Sequence, residues 1–132
     1  MNEHVSLTPS RKTRPDLLIG YELQLGTNNV APCLFTKVLT PILIETAKSA
    51  PKGSVRVVWV SSSAAKGLSP TNGVEMDNLG YEREDKGPWF KYGVSKAGNI
   101  LHCLEFARRY GKEGILSIVS TVSKSYLHDQ SG

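Results

Sequence analysis

Tyr92 and Lys96 stand four residues apart in the stretch KGPWFKYGVSKAGNIL, residues 86–101. That spacing puts a phenol and an ammonium on one face of a helix, a single turn apart. Such a pair has two uses. In the commoner one, both side chains lie along a surface helix with apolar stems on the protein and polar tips in water. In the other, the ammonium favours the phenolate, and the phenol becomes a group that can both give and take a proton. The pair alone does not choose between them, because a short motif takes its meaning from its surroundings.

A second set of reactive side chains lies upstream. Ser61, Ser62 and Ser63 follow VRVVWV, residues 55–60, directly. A continuous β-branched run of this length reads as a buried parallel strand, and ligands of open α/β sheets gather at the carboxyl ends of strands. The three hydroxyls therefore emerge at the edge where chemistry is done, unless they only turn the chain, as serine often does. Ser63 and Lys66 also have the spacing of a Ser-x-x-Lys nucleophile, but the companion motifs of that chemistry are missing. His4, His102 and His128 show no triad signature. Cys33 and Cys103, the two cysteines, have neither CxxC nor histidine spacing, which argues against zinc and against a disulfide framework.

The elements that must position these residues follow from periodicity. Residues 1–16 are polar and read as a tail. From Leu17 to about Ser49, apolar residues recur at helical spacing, including Leu23, Val30, Leu34, Val38, Ile42 and Leu43. APKG ends that helix, strand 55–60 follows, and residues 67–88 form a loop rich in Gly, Pro and Asn. Helical period returns over 90–110, with Val94, Ala97, Leu101, Leu104 and Ala107 on one stripe. ILSIV, residues 115–119, is a second short strand, and residues 120–132 read as a tail. Helix, strand, helix, strand is the order of a parallel α/β fold. The 132 residues suit one domain or part of one.

Composition narrows the partners. Sixteen Lys and Arg stand against twelve Asp and Glu, a net charge of +4. The basic patches at 11–15 and 107–112 lack the interleaved aromatics of a nucleic-acid surface, so no nucleic-acid partner is expected. No apolar run reaches the length needed to span a bilayer, and the opening residues contain no signal-peptide core. Two isolated thiols suit a reducing compartment, and the expected location is cytoplasmic.

Strand-VSSS, loop, YGVSK on a helix, strand: taken in order, these motifs resemble the short-chain dehydrogenase/reductases, in particular their retinol-dehydrogenase-like and fungal members. GYELQLGTNNVAPCLFTKVLTPIL resembles the helix ahead of the family's serine strand. RVVWVSSSA resembles that strand, with Trp59 where Asn is usual, and YGVSKAGNIL resembles the Tyr-x-x-x-Lys helix. The likeness is collinear over about residues 20–119. It implies a partial Rossmann-like, doubly wound α/β fold, an NAD or NADP cofactor, and an alcohol or carbonyl substrate. Tyr92 would then be the acid/base, and Lys96 would lower the Tyr92 pKa and hold the nicotinamide ribose. Ser62 would bind the substrate oxygen, and Asn28 would offer a backbone carbonyl to a relay water. The last role has independent support. Pro32 lacks an N–H, so the carbonyl of Asn28, its helical partner, loses its bond, and the helix is expected to kink or widen between 28 and 32. Asn29 is the weaker candidate, read as a polar residue on the helix surface.

The resemblance also has gaps. Gly20, Gly26 and Gly53 do not make the glycine-rich turn that takes a pyrophosphate. The family's Asn-Asn-Ala-Gly strand end has no counterpart in residues 1–16, nor its Pro-Gly step in STVSKSYLHDQSG. A chain truncated in its nucleotide-binding half is the expectation. Two functions follow: an oxidoreductase of impaired activity, or a non-catalytic module that binds a full-length relative through its two long helices. The loop 67–88, ending at Trp89 and Phe90, is either a substrate lid or a packing loop. Two strands cannot cover two long helices, so exposed apolar surface and oligomerisation are expected.

Overall fold

A computed structural model describes the backbone of Leu17 and Leu18 and residues 21–121. The tails read at 1–16 and beyond 121 lie outside the described residues. β1 (Leu17–Leu18) and β2 (Tyr21–Glu22) pair antiparallel, with Leu17 opposite Glu22. The helix expected from Leu17 therefore starts later: α1 runs from Leu23 to Ser49. Glu22 sets that start. Buried ahead of the first turn, it accepts the Leu25 N–H on Oε2 at 2.9 Å, as a capping side chain does. At the other end Ala50 is extended, with ψ at 154°, the conformation favoured before a proline.

α1 is widened where Pro32 predicts it. Gly26–Val30 form a π turn, and the Ala31 N–H donates to the Gly26 carbonyl, five residues back. Pro32 has no proton to give the Asn28 carbonyl, and the ladder absorbs the gap by taking in one extra residue.

β3 (Arg56–Ser61) pairs parallel with β4 (Leu116–Thr121), in register from Arg56 with Leu116 to Ser61 with Thr121. The second strand thus extends two residues past the expected end. Between the strands come the short α2 (Ala64–Gly67), a loop, and α3 (Pro88–Tyr110). Gly87 enters α3 at φ 83°, and Gly114 turns the chain into β4 at φ 86°.

Both long helices pack on one face of this two-stranded sheet. Trp59, Cys103, Phe106 and Ile115 form the buried cluster, with Cys33, Leu43, Ile44 and Ala47 of α1 against it. The apolar stripes read from the sequence are only partly the buried ones. Val94 and Ala97 are buried, but Leu101 and Leu104 face out, and Cys103 and Phe106 take the inner positions. On α1, Leu34, Val38 and Ile42 are each more than half exposed. Among the described residues no element covers the other face of the sheet, which presents Val58, Val60, Leu116 and Ile118.

One expectation needs correction. Leu23–Ser49 is a single helix with a window of mean hydropathy 1.4, long and apolar enough by length and composition alone to cross a bilayer. Isolated polar residues interrupt its apolar text but not its helix, so the sequence shows no uninterrupted run. Core helices of water-soluble proteins have the same composition.

Candidate active site

The C-terminal end of β3 is pinned to α3 by two side-chain layers. Ser61, buried, donates from Oγ to the Lys96 carbonyl at 2.8 Å. The Val60 carbonyl in turn accepts Asn99 Nδ2 at 2.9 Å and Lys96 Nζ at 3.2 Å. The Lys96 ammonium lies 5.7 Å from the centre of the Tyr92 ring, so the i,i+4 spacing sets the ammonium against the ring on α3. Ser95, fully buried, accepts Asn28 Nδ2 on Oγ at 3.2 Å and donates to the Tyr92 carbonyl at 2.8 Å. The π turn is thereby tied to the turn of α3 that carries Tyr92.

A cleft of about 430 Å3 opens here, with Asn28, Pro32, Phe35, Val60, Lys96 and Asn99 among its walls. Asn28 and Lys96 share this cleft. Neither Tyr92 nor Ser62 lines it. Ser62 follows at the same strand end, and its Oγ accepts the Ala64 N–H at 3.3 Å, at the start of α2. Ser63 and Lys66 are both exposed, linked only by a backbone bond, Lys66 N–H to Ser63 carbonyl at 3.0 Å. That link makes a helical turn, not a nucleophile and its base. His4 and His128 lie outside the described residues. Cys33 and Cys103 are free thiols, and burial pushes the Cys33 thiol up, with Lys37 opposing more weakly. Among the described residues no group of three His, Cys, Asp or Glu is placed to hold a metal.

Asn29 is not the surface residue expected. It is buried, and its amide joins three parts of α3. Nδ2 donates to the Ser95 carbonyl at 3.4 Å and to Asn99 Oδ1 at 3.3 Å, while Oδ1 meets His102 Nε2 at 3.0 Å. Gly98 makes room for it: a Cβ there would stand 2.2 Å from Asn29 Nδ2. The sequence carried a signal for Asn99 and His102, which fall on the face of α3 that holds Ser95 and Tyr92. Asn29 gave none, since an extra residue in the π turn rotates it inward.

Loop 68–87 is tied down. Asn78 is buried, donates to the Glu84 carbonyl at 3.1 Å and accepts the Arg83 N–H at 3.2 Å. Lys91, also buried, pairs with Asp85 at 2.8 Å and lies over the Tyr81 ring. Burial, then the nearby carboxylates, pushes the Tyr81 phenol up to about 12. Trp89 is largely exposed. These contacts hold the loop together and tie it to the first turn of α3.

No family model matches the chain. Curated relatives do. A short-chain dehydrogenase/reductase of Phomopsis amygdali is 52% identical over 106 residues, 79% of this chain and 31% of the relative. One of Emericella nidulans is 56% identical over 95 residues, 72% and 30%. The chain thus spans about 30% of the length of the curated relatives it matches. Among solved structures, an uncharacterized protein from Mycobacterium Paratuberculosis superposes with a TM-score of 0.66 at 27% identity, covering 85% of this chain and 38% of that one. The parallel sheet flanked by two long helices is accordingly part of a Rossmann-like fold.

Proposed function

The chain belongs to the short-chain dehydrogenase/reductase family, and on that premise we propose that the Lys96 cleft serves hydride exchange between NAD or NADP and an alcohol or carbonyl compound. One observation carries the reading: Lys96, beside the Tyr92 ring, shares a cleft with Asn28 at the carboxyl end of β3. The residues fit the nicotinamide-ribose end of such a cofactor. The Lys96 ammonium, held by a single backbone carbonyl, has donors left for ribose hydroxyls. A nicotinamide, when bound, supplies or accepts the hydride.

What this chain's residues do is handle the proton. Tyr92 is the acid/base at the substrate oxygen, and Lys96 is the cation that favours its ionised form. Ser62 donates a hydrogen bond to the same oxygen. Asn28 offers the carbonyl that Pro32 leaves without its α-helical partner, an acceptor for a water that relays the proton. Among the described residues no glycine-rich turn follows a strand to take the pyrophosphate.

The exposed Leu34, Val38 and Ile42 of α1, with Leu101 and Leu104 of α3, favour a second reading. In it the chain is a non-catalytic module whose two helices dock on a full-length relative. The free thiols support a cytoplasmic location for either. Joining a relative's N-terminal half to the chain, mixing with NADPH and following cofactor fluorescence separates them. Enhancement that Lys96→Ala removes supports the first reading; a flat signal to millimolar cofactor in that fusion favours the second.

A further inference from the structure

Beside the Lys96 cleft, with which it shares Thr36 and Trp59, α1 and α3 line a second cavity, open to solvent, of about 270 Å3, that neither Tyr92 nor Lys96 lines. Its floor is aromatic. Trp59 and Phe106 are buried with ring centres 6.1 Å apart, and Tyr110 continues the surface 4.7 Å from Phe106. His102 lies over Trp59 at 5.4 Å.

Asn29 decides which nitrogen of His102 carries the proton. Its Nδ2 faces two acceptors, so Oδ1 is the atom turned toward His102 Nε2, and an oxygen can only accept. Neutral His102 therefore bears its proton on Nε2. Nδ1 is left as an acceptor, and among the described residues no donor meets it. Burial lowers the His102 pKa, which keeps the ring neutral near neutral pH. At the rim stand two cations of unequal freedom. Arg109 is held by Glu105 at 2.5 Å, whereas Lys37 has no ion-pair partner among the described residues.

An aromatic floor, an unmet acceptor and a free ammonium around one small volume define a ligand by complement. We propose that this cavity binds a small phenolic acid. Its ring covers Trp59 and Phe106, its hydroxyl donates to His102 Nδ1, and its carboxylate lies at Lys37. A single substituted ring is the size the volume admits, and aromatic contact supplies the apolar share of the binding.

The test uses the full chain with its histidines labelled for NMR, titrated with 4-hydroxybenzoate and, separately, with benzoate. The hydroxylated acid is expected to shift the His102 ring signals, to quench Trp59 fluorescence, and to bind about fivefold more tightly than benzoate, the worth of one hydrogen bond. His102→Phe should erase that preference while leaving weak binding of both acids, and Lys37→Ala should weaken both alike. Equal affinity for the two acids in the unaltered chain overturns the proposal. So does the absence of any His102 shift at millimolar ligand, which needs no variant to fold.

Discussion

His102 and Glu105 give the site's helix two separate pH responses. Burial lowers the His102 pKa from its ordinary 6.5, so the unfolded chain takes up that proton first on acidification. Stability is then fully present above 6.5 and falls as the pH drops below it. Glu105, bound by Arg108 and Arg109, is lowered from 4.5 to about 2. Its contribution is present above 4.5 and is lost as pH falls through about 2. Denaturant melts between pH 7 and 5 should show a loss of stability that His102→Phe abolishes; an unchanged slope in that variant would mean the ring is not buried as described. Asn29 leads to a second outcome at this scale. Gly98→Ala drives a Cβ into the Asn29 amide and should cost about 1–3 kcal/mol. Asn29→Ala in the same chain should recover much of that loss, and a double-mutant cycle without coupling would argue against the contact. That Lys96 lies beside Tyr92 was legible from the sequence because i,i+4 neighbours meet on any regular helix. Asn29 was not, since its direction depends on a local change of helical pitch.

At the scale of elements, a single proline accounts for the irregularity of α1. The widened turn at Gly26–Val30 was foreseeable from Pro32, because a missing N–H is a fact of the sequence. Pro32→Ala restores a donor to the Asn28 carbonyl, and the turn is expected to relax to regular α-helix. With one residue fewer in the loop of the ladder, Asn29 rotates away from Ser95 and Asn99. Amide and side-chain NMR should show Asn29 detached from both, and the Lys96 resonances should change with it through Asn99 and Val60. Retention of the Asn29–Asn99 hydrogen bond in that variant would show that packing, not proline, sets the turn. The strands and their parallel pairing were legible from two β-branched runs separated by a helix. Which side of each helix is covered was not. α1 is apolar nearly all round, with Cys33 and Leu43 inside and Leu34, Val38 and Ile42 outside, so periodicity alone gives no direction.

For the whole molecule the governing fact is a parallel sheet that the described elements cover on one face. Parallel sheets are ordinarily covered on both, yet here Val58, Val60, Leu116 and Ile118 are open, as is the outer side of α1. Contiguous apolar surface of this kind favours association. Sedimentation should therefore find concentration-dependent oligomers; a monomer with a cooperative melt at high concentration would count against it. Under the proposed function the same architecture limits catalysis. Hydride transfer needs the nicotinamide held against the substrate carbon, and positioning provides much of the rate. In the proposed reading Tyr92 and Lys96 would meet only the ribose end of the cofactor. A pyrophosphate cradle of backbone N–H groups contributes charge-assisted bonds of about 1.5–3 kcal/mol each. Without two or three of them, binding weakens by about 3–9 kcal/mol, or about two to six orders of magnitude. The 132-residue chain by itself is thus expected to show no measurable NAD(P)H turnover. Joining a relative's N-terminal half to it should restore some, and Tyr92→Phe should then abolish what returns. Robust turnover by the unfused chain would falsify this, and would mean that another surface or a partner chain supplies the phosphate site.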